Sequence, residues 1–269
     1  MLNKPMLLAA ILTLSSLGFA QARTQQAEAD AAASSKDTSC AYSYSSGTSP
    51  TSTSYCLTGN GNIVQFASPS DFEFIKSGVV SEGYGICDFT PATPLPYFDY
   101  AHADSGNWGP TTVTTPSATS KRFVRTTSDG IWQLTQTITQ IKATNSTVGS
   151  AKVVMALKNL TGIDRVVYLI RYADVDAGSS DSDNTFIWGI NSAYGVGREI
   201  SYGLGLTTNT FTFPHTAFTQ NEFDGPAPCS VFTNMNGQPF TGDGSIGHLF
   251  AIEVLHGATR TVTVTYKPI

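Results

Sequence analysis

The chain has 269 residues, of which 13% are charged, and its formal net charge is −5. A weakly acidic chain without a run of Lys and Arg has no electrostatic footprint for nucleic acid or an anionic membrane surface. We therefore expect no nucleic-acid partner and no membrane insertion. Thr, Ser, Asn and Gln must supply the polar surface, and these side chains suit β-sheet faces and neutral polar ligands such as sugars.

The first 22 residues have the pattern of a secretory signal peptide. Lys4 precedes an apolar stretch from Met6 to Phe19, and Ala20-Gln21-Ala22 places small residues before the predicted cleavage point. The apolar stretch is too short for a stable transmembrane helix. We predict a secreted or periplasmic protein with this organisation: a signal peptide at 1–22, a flexible segment at 23–39 and a single domain at 40–269.

Four cysteines in an exported chain predict two structural disulfides. Three pairings are possible. We favour Cys40 with Cys56, which closes a short loop, and Cys87 with Cys229, which ties the early and late thirds of the domain together. The sequence has no C-x-x-C or paired Cys/His motif, so the cysteines do not indicate a metal site.

Short stretches rich in β-branched and aromatic residues, separated by Gly, Pro, Asn, Asp and Ser, predict many short strands. The clearest predicted strands are Ile63–Phe66, Phe72–Ile75, Lys121–Thr126, Ile131–Ile141, Ala151–Leu160, Arg165–Ala173, Thr185–Ile190, Thr210–Phe213, His248–Leu255 and Arg260–Tyr266. No segment after the leader shows a long helical repeat.

Two strands and two turns indicate how the sheets are built. Apolar and polar residues alternate in Ile131–Ile141 and in Arg260–Tyr266, so each strand should bury one face. The turn signals at 127–130 and 159–162 predict hairpins between neighbouring strands. We therefore predict an all-β fold, an antiparallel two-sheet sandwich of the jelly-roll or a larger type, with long decorated loops.

One candidate ligand loop is the aromatic segment 97–108, which lies in a connection rich in Pro and Gly. Aromatic rings there can stack on a sugar while polar groups fix its hydroxyls, and one His among carboxylates is a candidate general base. An alternative is that the rings fold back as a small core beneath the loop. The candidate binding residues are Tyr97, Asp99, Tyr100, His102, Asp104 and Trp108.

A second candidate is the acidic segment 174–184, placed between two predicted strands. Closely spaced carboxylates offer the hard oxygen ligands that Ca²⁺ prefers, although the spacing does not match an EF-hand. A solvated turn explains the same residues. The candidate Ca²⁺ ligands are Asp174, Asp176, Asp181 and Asp183.

The remaining motifs are weaker. Asp243-Gly244-Ser245-Ile246-Gly247 lacks the first glycine of a nucleophile elbow. Glu222 and Asp224 could contribute to a glycosidase carboxylate pair, but a turn rich in Asp, Gly and Pro is the favoured explanation. His248 and His256 are too far apart along one strand to bind the same metal.

Two functional hypotheses follow. The first is a secreted binding or surface-interaction protein for a glycan or cell-surface ligand, with neutral glycans preferred and Ca²⁺ as a candidate cofactor. The second is a secreted polysaccharide hydrolase or lyase. Its candidate acid and base groups are Asp99, His102, Asp104, Glu222 and Asp224.

Overall fold

The computed structural model describes residues 38–69, 72–75, 81–177, 183–221 and 227–269. The predicted signal peptide and nearly all of the predicted flexible segment lie outside these residues. Within them, no helix is long and apolar enough to cross a membrane. The elements of the described part are β1 (Tyr42–Ser46), β2 (Thr53–Leu57), β3 (Ile63–Ala67), β4 (Ser81–Asp88), β5 (Leu95–Ala101), β6 (Thr112–Ser117), β7 (Ser120–Thr126), β8 (Trp132–Ile141), β9 (Ser150–Asn159), β10 (Arg165–Asp174), β11 (Asn184–Trp188), β12 (Ser192–Gly197), β13 (Gly203–Thr208), β14 (His215–Gln220), α1 (Val231–Asn234), β15 (Phe240–Gly242), β16 (Ser245–Val254) and β17 (Thr259–Pro268).

These strands form three antiparallel sheets in two layers. The nine-stranded sheet has the order β15-β11-β12-β13-β17-β9-β8-β7-β6 and makes up one layer. The other layer contains a five-stranded sheet, β14-β16-β10-β4-β5, and a three-stranded sheet, β1-β2-β3. The predicted all-β antiparallel sandwich is confirmed.

Aromatic contacts join the two layers. Phe66 of β3 packs on Tyr266 of β17 with ring centroids 6.3 Å apart, and Tyr42 of β1 packs on Phe123 of β7 at 6.0 Å. Within the second layer, the Asn62 side chain donates a hydrogen bond to the Glu82 carbonyl at 3.0 Å and so connects the three- and five-stranded sheets. Apolar burial between the layers is the main favourable term for such a fold.

The alternation predicted for two strands is confirmed. In β8, Trp132, Leu134 and Ile138 are buried while the intervening threonines are partly exposed. In β17, Val262, Val264 and Tyr266 are buried in the same way. Because side chains alternate between faces with a period of two, these patterns also fix the register of each strand.

Three details of the predicted pattern are wrong. The turn at 159–162 does not close a hairpin, because β9 pairs with β8 and β17 whereas β10 pairs with β16 and β4. That turn instead carries the chain from one layer to the other. Residues 72–75 form only a single bridge, at Glu73, and residues 210–213 form no strand. The strands β4 and β13 were not predicted. Each contains two glycines, which lower the β propensity of the local sequence, and in the fold each strand is held by pairing with a neighbour on both sides.

The outer face of the five-stranded sheet carries a second apolar cluster. Tyr100, Tyr172, Phe218 and Leu249 belong to it, and Val231 of α1 covers them. The disulfide between Cys87 of β4 and Cys229 attaches this covering segment to the sheet, and a second disulfide joins Cys40 to Cys56. The predicted pairing is confirmed, and two disulfides are consistent with an extracytoplasmic location.

Both edges of the nine-stranded sheet are short or interrupted. At one edge, β15 has three residues. At the other, β6 contains Pro116, which has no backbone N–H to donate, and its pairing with β7 is irregular between Thr114 and Ser117.

His248 lies in the core between the two layers. Its Nε2–H donates to the Leu206 carbonyl at 3.0 Å, and the residue has no exposed surface. Burial, with a smaller contribution from His215, lowers its pKa to about 4 from an ordinary value of 6.5. The folded protein therefore keeps His248 neutral over a pH range in which the unfolded chain takes up a proton.

We expect this histidine to destabilise the protein in acid. As the pH falls from about 6.5 to about 4, the wild type should lose about 3 kcal/mol of unfolding free energy relative to His248→Gln, since only the unfolded state binds the proton in that window. Urea unfolding of both proteins at pH 7.5, 5.5 and 4 measures this difference. His256→Gln, at an exposed position, is the control. Parallel pH profiles for wild type and His248→Gln would contradict the expectation.

Candidate functional site

Two connections between the layers run side by side at one end of the sandwich. The first leads from β10 toward β11, and the second leads from β15 into β16. The backbone N–H of Val175 in the first donates to the Gly244 carbonyl in the second at 3.2 Å. Each connection is acidic at this point, so the fold brings together carboxylates that are distant in sequence.

The carboxylates of Asp174, Asp176 and Asp243 form this acidic cluster. One oxygen from each lies within 4.8 Å of the others. Asp174 and Asp176 are each only 2% exposed, and Asp243 is partly buried. Carboxylates this close repel one another, and low solvent exposure strengthens the repulsion.

Side chains with neutral oxygen atoms lie beside Asp174 of the acidic cluster. Ser245 pairs with Asp174 on one side and with Gln220 on the other, so the three residues share one face of the five-stranded sheet. Gln220 is fully buried, and neither of its amide atoms has a hydrogen-bond partner among the described residues. Gly244 permits this close packing, because a Cβ there would lie 2.5 Å from the Gln220 carbonyl oxygen.

The donor set fits a hard divalent cation. Carboxylate, amide and hydroxyl oxygens are the ligands that Ca²⁺ prefers, and the cluster found among the described residues contains no His or Cys that would favour zinc. Of the ligands predicted from sequence, Asp174 and Asp176 belong to the acidic cluster. Asp181 lies outside the described residues. Asp183 instead pairs with Arg198 at 3.2 Å on the surface.

Sequence reasoning missed Asp243 as a partner of this cluster. It precedes a glycine in a short turn, 67 positions after Asp176, and nothing local connects it to the acidic segment. Asp243 reaches the acidic cluster only because the two connections between the layers lie side by side. The available signal was an Asp-Gly turn between two apolar strands, which indicates a turn but not its neighbours.

The aromatic rings of segment 97–108 are packed inside the protein. Tyr97 and Trp108 belong to the core between the layers, with their centroids 6.3 Å apart, whereas Tyr100 belongs to the cluster on the opposite face of the five-stranded sheet. The Trp108 Nε1–H donates to the Phe98 carbonyl at 3.1 Å. The three rings therefore do not form one exposed stacking surface, and the folded-back arrangement considered for this segment matches their placement.

The two acidic side chains of this segment converge on Arg125. The chain reverses at Ala101, whose φ of 61° is uncommon without glycine, and Asp104 returns beside Asp99. The Arg125 guanidinium forms an ion pair with Asp99 and lies 3.9 Å from Asp104. Burial raises the pKa of Asp99, and Arg125 opposes that change. Both carboxylates are at most 5% exposed.

His102 lies at the same turn and is half-buried. Its Nδ1 lies 3.1 Å from the Tyr100 carbonyl oxygen, which orients the ring. Glu222 and Asp224, the other candidate acid and base groups, lie outside the described residues. Of the five candidate acid and base groups, the described structure places Asp99 and Asp104 close together, and both face the Arg125 guanidinium.

A further buried charge network spans the two layers. Arg171 of β10 lies 2.5 Å from a Glu82 carboxylate oxygen and donates to the Tyr266 hydroxyl at 2.7 Å and the Gln136 side chain at 2.5 Å. Tyr266 in turn donates to Glu82. Burial raises the pKa of Glu82, opposed first by the charge of Arg171. This network fixes the spacing of the sheets through hydrogen bonds whose groups are all removed from water.

Comparisons with solved structures show where this architecture recurs. A bacterial glucoamylase in complex with acarbose matches with a TM-score of 0.57 and 12% identity over 88% of this chain and 33% of that chain. The likeness is one of fold. A polysaccharide lyase matches with a TM-score of 0.50 and 10% identity over 84% of this chain and 33% of that chain. A protein from Synechocystis sp. PCC 6803 matches with a TM-score of 0.50 and 9% identity over 88% of this chain and 97% of that chain.

This chain therefore spans about a third of the glucoamylase and lyase chains that it resembles. No protein-family model matches the sequence. A search of curated proteins likewise finds no match.

Proposed function

We propose that this is an exported glycan-binding protein, and that a Ca²⁺ ion bound at its acidic cluster orders the two connections between the layers. The observation that carries the first part is the shared fold. It extends over more than four-fifths of this chain, yet it corresponds to only a third of a glucoamylase and of a polysaccharide lyase. A domain of this kind in enzymes that act on carbohydrate supports a carbohydrate ligand here, by analogy of fold.

The burial of two candidate acid and base groups, Asp99 and Asp104, favours binding over catalysis. General acid and base groups must reach the substrate, but Asp99 and Asp104 are held by Arg125 beneath the surface. Among the described residues, segment 97–108 therefore contains no pair of solvent-accessible carboxylates that a hydrolase could use.

A binding assay with a parallel activity assay tests this function. The protein without residues 1–22 is applied to a panel of immobilised neutral and charged polysaccharides, and soluble product is measured in the same wells. Retention without product is expected. Product formation would favour the hydrolase or lyase, and the absence of both retention and product would remove the glycan assignment.

The Ca²⁺ proposal rests on the acidic cluster and its buried oxygen donors. A divalent cation would relieve the repulsion among Asp174, Asp176 and Asp243 and would join the two layer crossings. Ligand bound only to the folded state at about a hundred times its dissociation constant stabilises by about 2.7 kcal/mol. For a domain of this size, that corresponds to a rise in melting temperature of about 5–10 °C.

We expect the wild type to melt higher in excess Ca²⁺ than in EDTA, and Asp243→Asn to lose this difference. Asp183→Asn is the matched control, because it removes the same charge from an Asp that pairs with Arg198. Calorimetric titration with CaCl₂ provides a second readout. Identical wild-type melting in both conditions, with no heat of binding, would show that the acidic cluster holds no Ca²⁺.

A further inference from the structure

The charged residues in the strands of the nine-stranded sheet are all basic. None of the nine strands of the large sheet contains Asp or Glu, although the whole chain has a net charge of −5. Those strands do contain Lys and Arg. The basic residues within them are Lys121, Arg122, Arg125, Lys152, Lys158, Arg260 and Lys267.

Strand register assigns four of these cations to the outer face of the sheet. Arg122 pairs with Thr137, and Lys152 pairs with Thr139 and Thr265, on the side opposite the buried core positions. Lys158 and Lys267 share that face by the same alternation. Arg122, Lys158 and Lys267 are exposed and Lys152 is partly exposed, and no described segment covers them.

Threonine hydroxyls on the neighbouring strands flank these cations. Adjacent strands present rows such as Thr137 beside Val154 and Thr263, or Thr265 beside Thr207. A threonine hydroxyl both donates and accepts hydrogen bonds, as sugar hydroxyls do. The face therefore combines positive charge with many neutral hydrogen-bonding groups.

An aromatic ring lies next to the cations. Tyr194 of β12 pairs with Gly205 of β13, which pairs with Lys267 of β17. A Cβ at Gly205 would come within 2.5 Å of the Tyr194 ring, so the ring lies against the sheet where glycine leaves space. Tyr194 is partly exposed, and a ring in this position offers a flat surface to a sugar.

We infer that the outer face of the nine-stranded sheet binds an anionic polysaccharide with carboxylated sugar units. This inference rests on the proposed glycan-binding function and names the class of glycan. The net charge of the whole chain favours neutral glycans, whereas a ligand on this face meets only its local positive charge.

The spacing of the cations favours a polysaccharide over nucleic acid. Lys152 and Lys267 lie on neighbouring strands, and Arg122 lies two strands from Lys152, about 10 Å across the sheet. A nucleic-acid strand carries one phosphate per about 3.4 Å, which calls for a denser set of cations. A chain with one carboxylate per sugar ring matches isolated cations that are flanked by threonine hydroxyls on adjacent strands.

Two polymers with the same backbone test the inference. Polygalacturonate carries one carboxylate per sugar unit, and fully methyl-esterified polygalacturonate has lost those charges. The wild type is expected to bind polygalacturonate at least about tenfold more tightly than the ester and to weaken as NaCl rises. Lys152→Gln/Lys267→Gln should lose about tenfold or more in affinity for polygalacturonate.

Matched variants locate the binding to this face. Arg198→Gln/Arg260→Gln changes the net charge equally, at a turn and at a side chain that contacts the Glu253 carbonyl, and should leave affinity within about twofold. Tyr194→Ala should weaken binding without changing its salt dependence. Equal melting temperatures for all variants would show that the fold is retained.

The outcomes separate this inference from the proposed function. Equal binding of polygalacturonate and its ester, or an unaffected Lys152→Gln/Lys267→Gln variant, would overturn the anionic assignment and keep glycan binding. Equally tight binding of duplex DNA or phosphatidylserine vesicles, lost in the same variant, would overturn the polysaccharide assignment. No binding to either polymer or to any other glycan would remove both proposals.

Discussion

Replacing Arg171 with methionine is expected to lower the free energy of unfolding by about 3–5 kcal/mol. Arg171 and Glu82 are both fully buried and form an ion pair between adjacent strands of the five-stranded sheet. Arg171 also donates hydrogen bonds to Tyr266 and Gln136 of the other layer. Methionine fills much of the same volume but leaves the Glu82 carboxylate without its cation. Urea unfolding at pH 7 measures the loss.

The loss should depend on pH in a direction set by Glu82. Without Arg171, burial raises the pKa of Glu82 still further above its unfolded value, so the folded state gains protons as the pH falls. The deficit of Arg171→Met should therefore be smallest in the acidic range where the unfolded carboxyl is also protonated, and it should grow as the pH rises. A deficit that is independent of pH would mean that lost packing, not an unpaired charge, causes the effect.

Two further variants identify the mechanism. In Arg171→Met/Glu82→Gln the buried charge is removed together with its partner, and much of the stability should return. Arg198→Met removes an arginine from a surface ion pair with Asp183 and should cost less than about 1 kcal/mol. A double variant as unstable as the single one would contradict the role assigned to the unpaired charge.

Removing the Cys87–Cys229 disulfide should have an effect of similar size. The two cysteines are 142 positions apart, and the chain-entropy estimate for a loop of that length is about 5 kcal/mol. The bridge also holds the segment that covers the apolar cluster on the five-stranded sheet. Guanidinium unfolding of Cys87→Ala/Cys229→Ala measures the loss.

The second disulfide supplies the comparison. Cys40 and Cys56 are only 16 positions apart, for which the same estimate gives about 3 kcal/mol. Limited proteolysis should cut near residues 230–239 in Cys87→Ala/Cys229→Ala and not in Cys40→Ala/Cys56→Ala. The reverse order of stabilities, or equal cleavage, would contradict the role of the longer bridge.

The strands β8 and β17, which each have one exposed face, could be predicted from the sequence, whereas β4, which is covered on both faces, could not. Alternation in β8 and β17 reported burial directly because each strand has one face in the core. In contrast, β4 is buried along its whole length and contains Gly83 and Gly85. Its place in the sheet depends on pairing with β10 and β5, which no local pattern contains.

The candidate sites show the same division between local and tertiary information. Asp174 and Asp176 could be identified because they are close in sequence. Asp243 joins them only because the connection from β15 into β16 lies beside them. Similarly, the sequence showed that Asp99 and Asp104 lie near one another. It did not show Arg125, which comes from β7 and lies beside both carboxylates.

The form of the sheet edges affects how this protein behaves at high concentration. An incoming strand from another molecule needs a row of free N–H and C=O groups to extend a sheet. The three residues of β15 provide only a short row, and Pro116 interrupts the row along β6. The broad nine-stranded sheet can therefore expose its outer face while resisting edge-to-edge association with other molecules into fibrils.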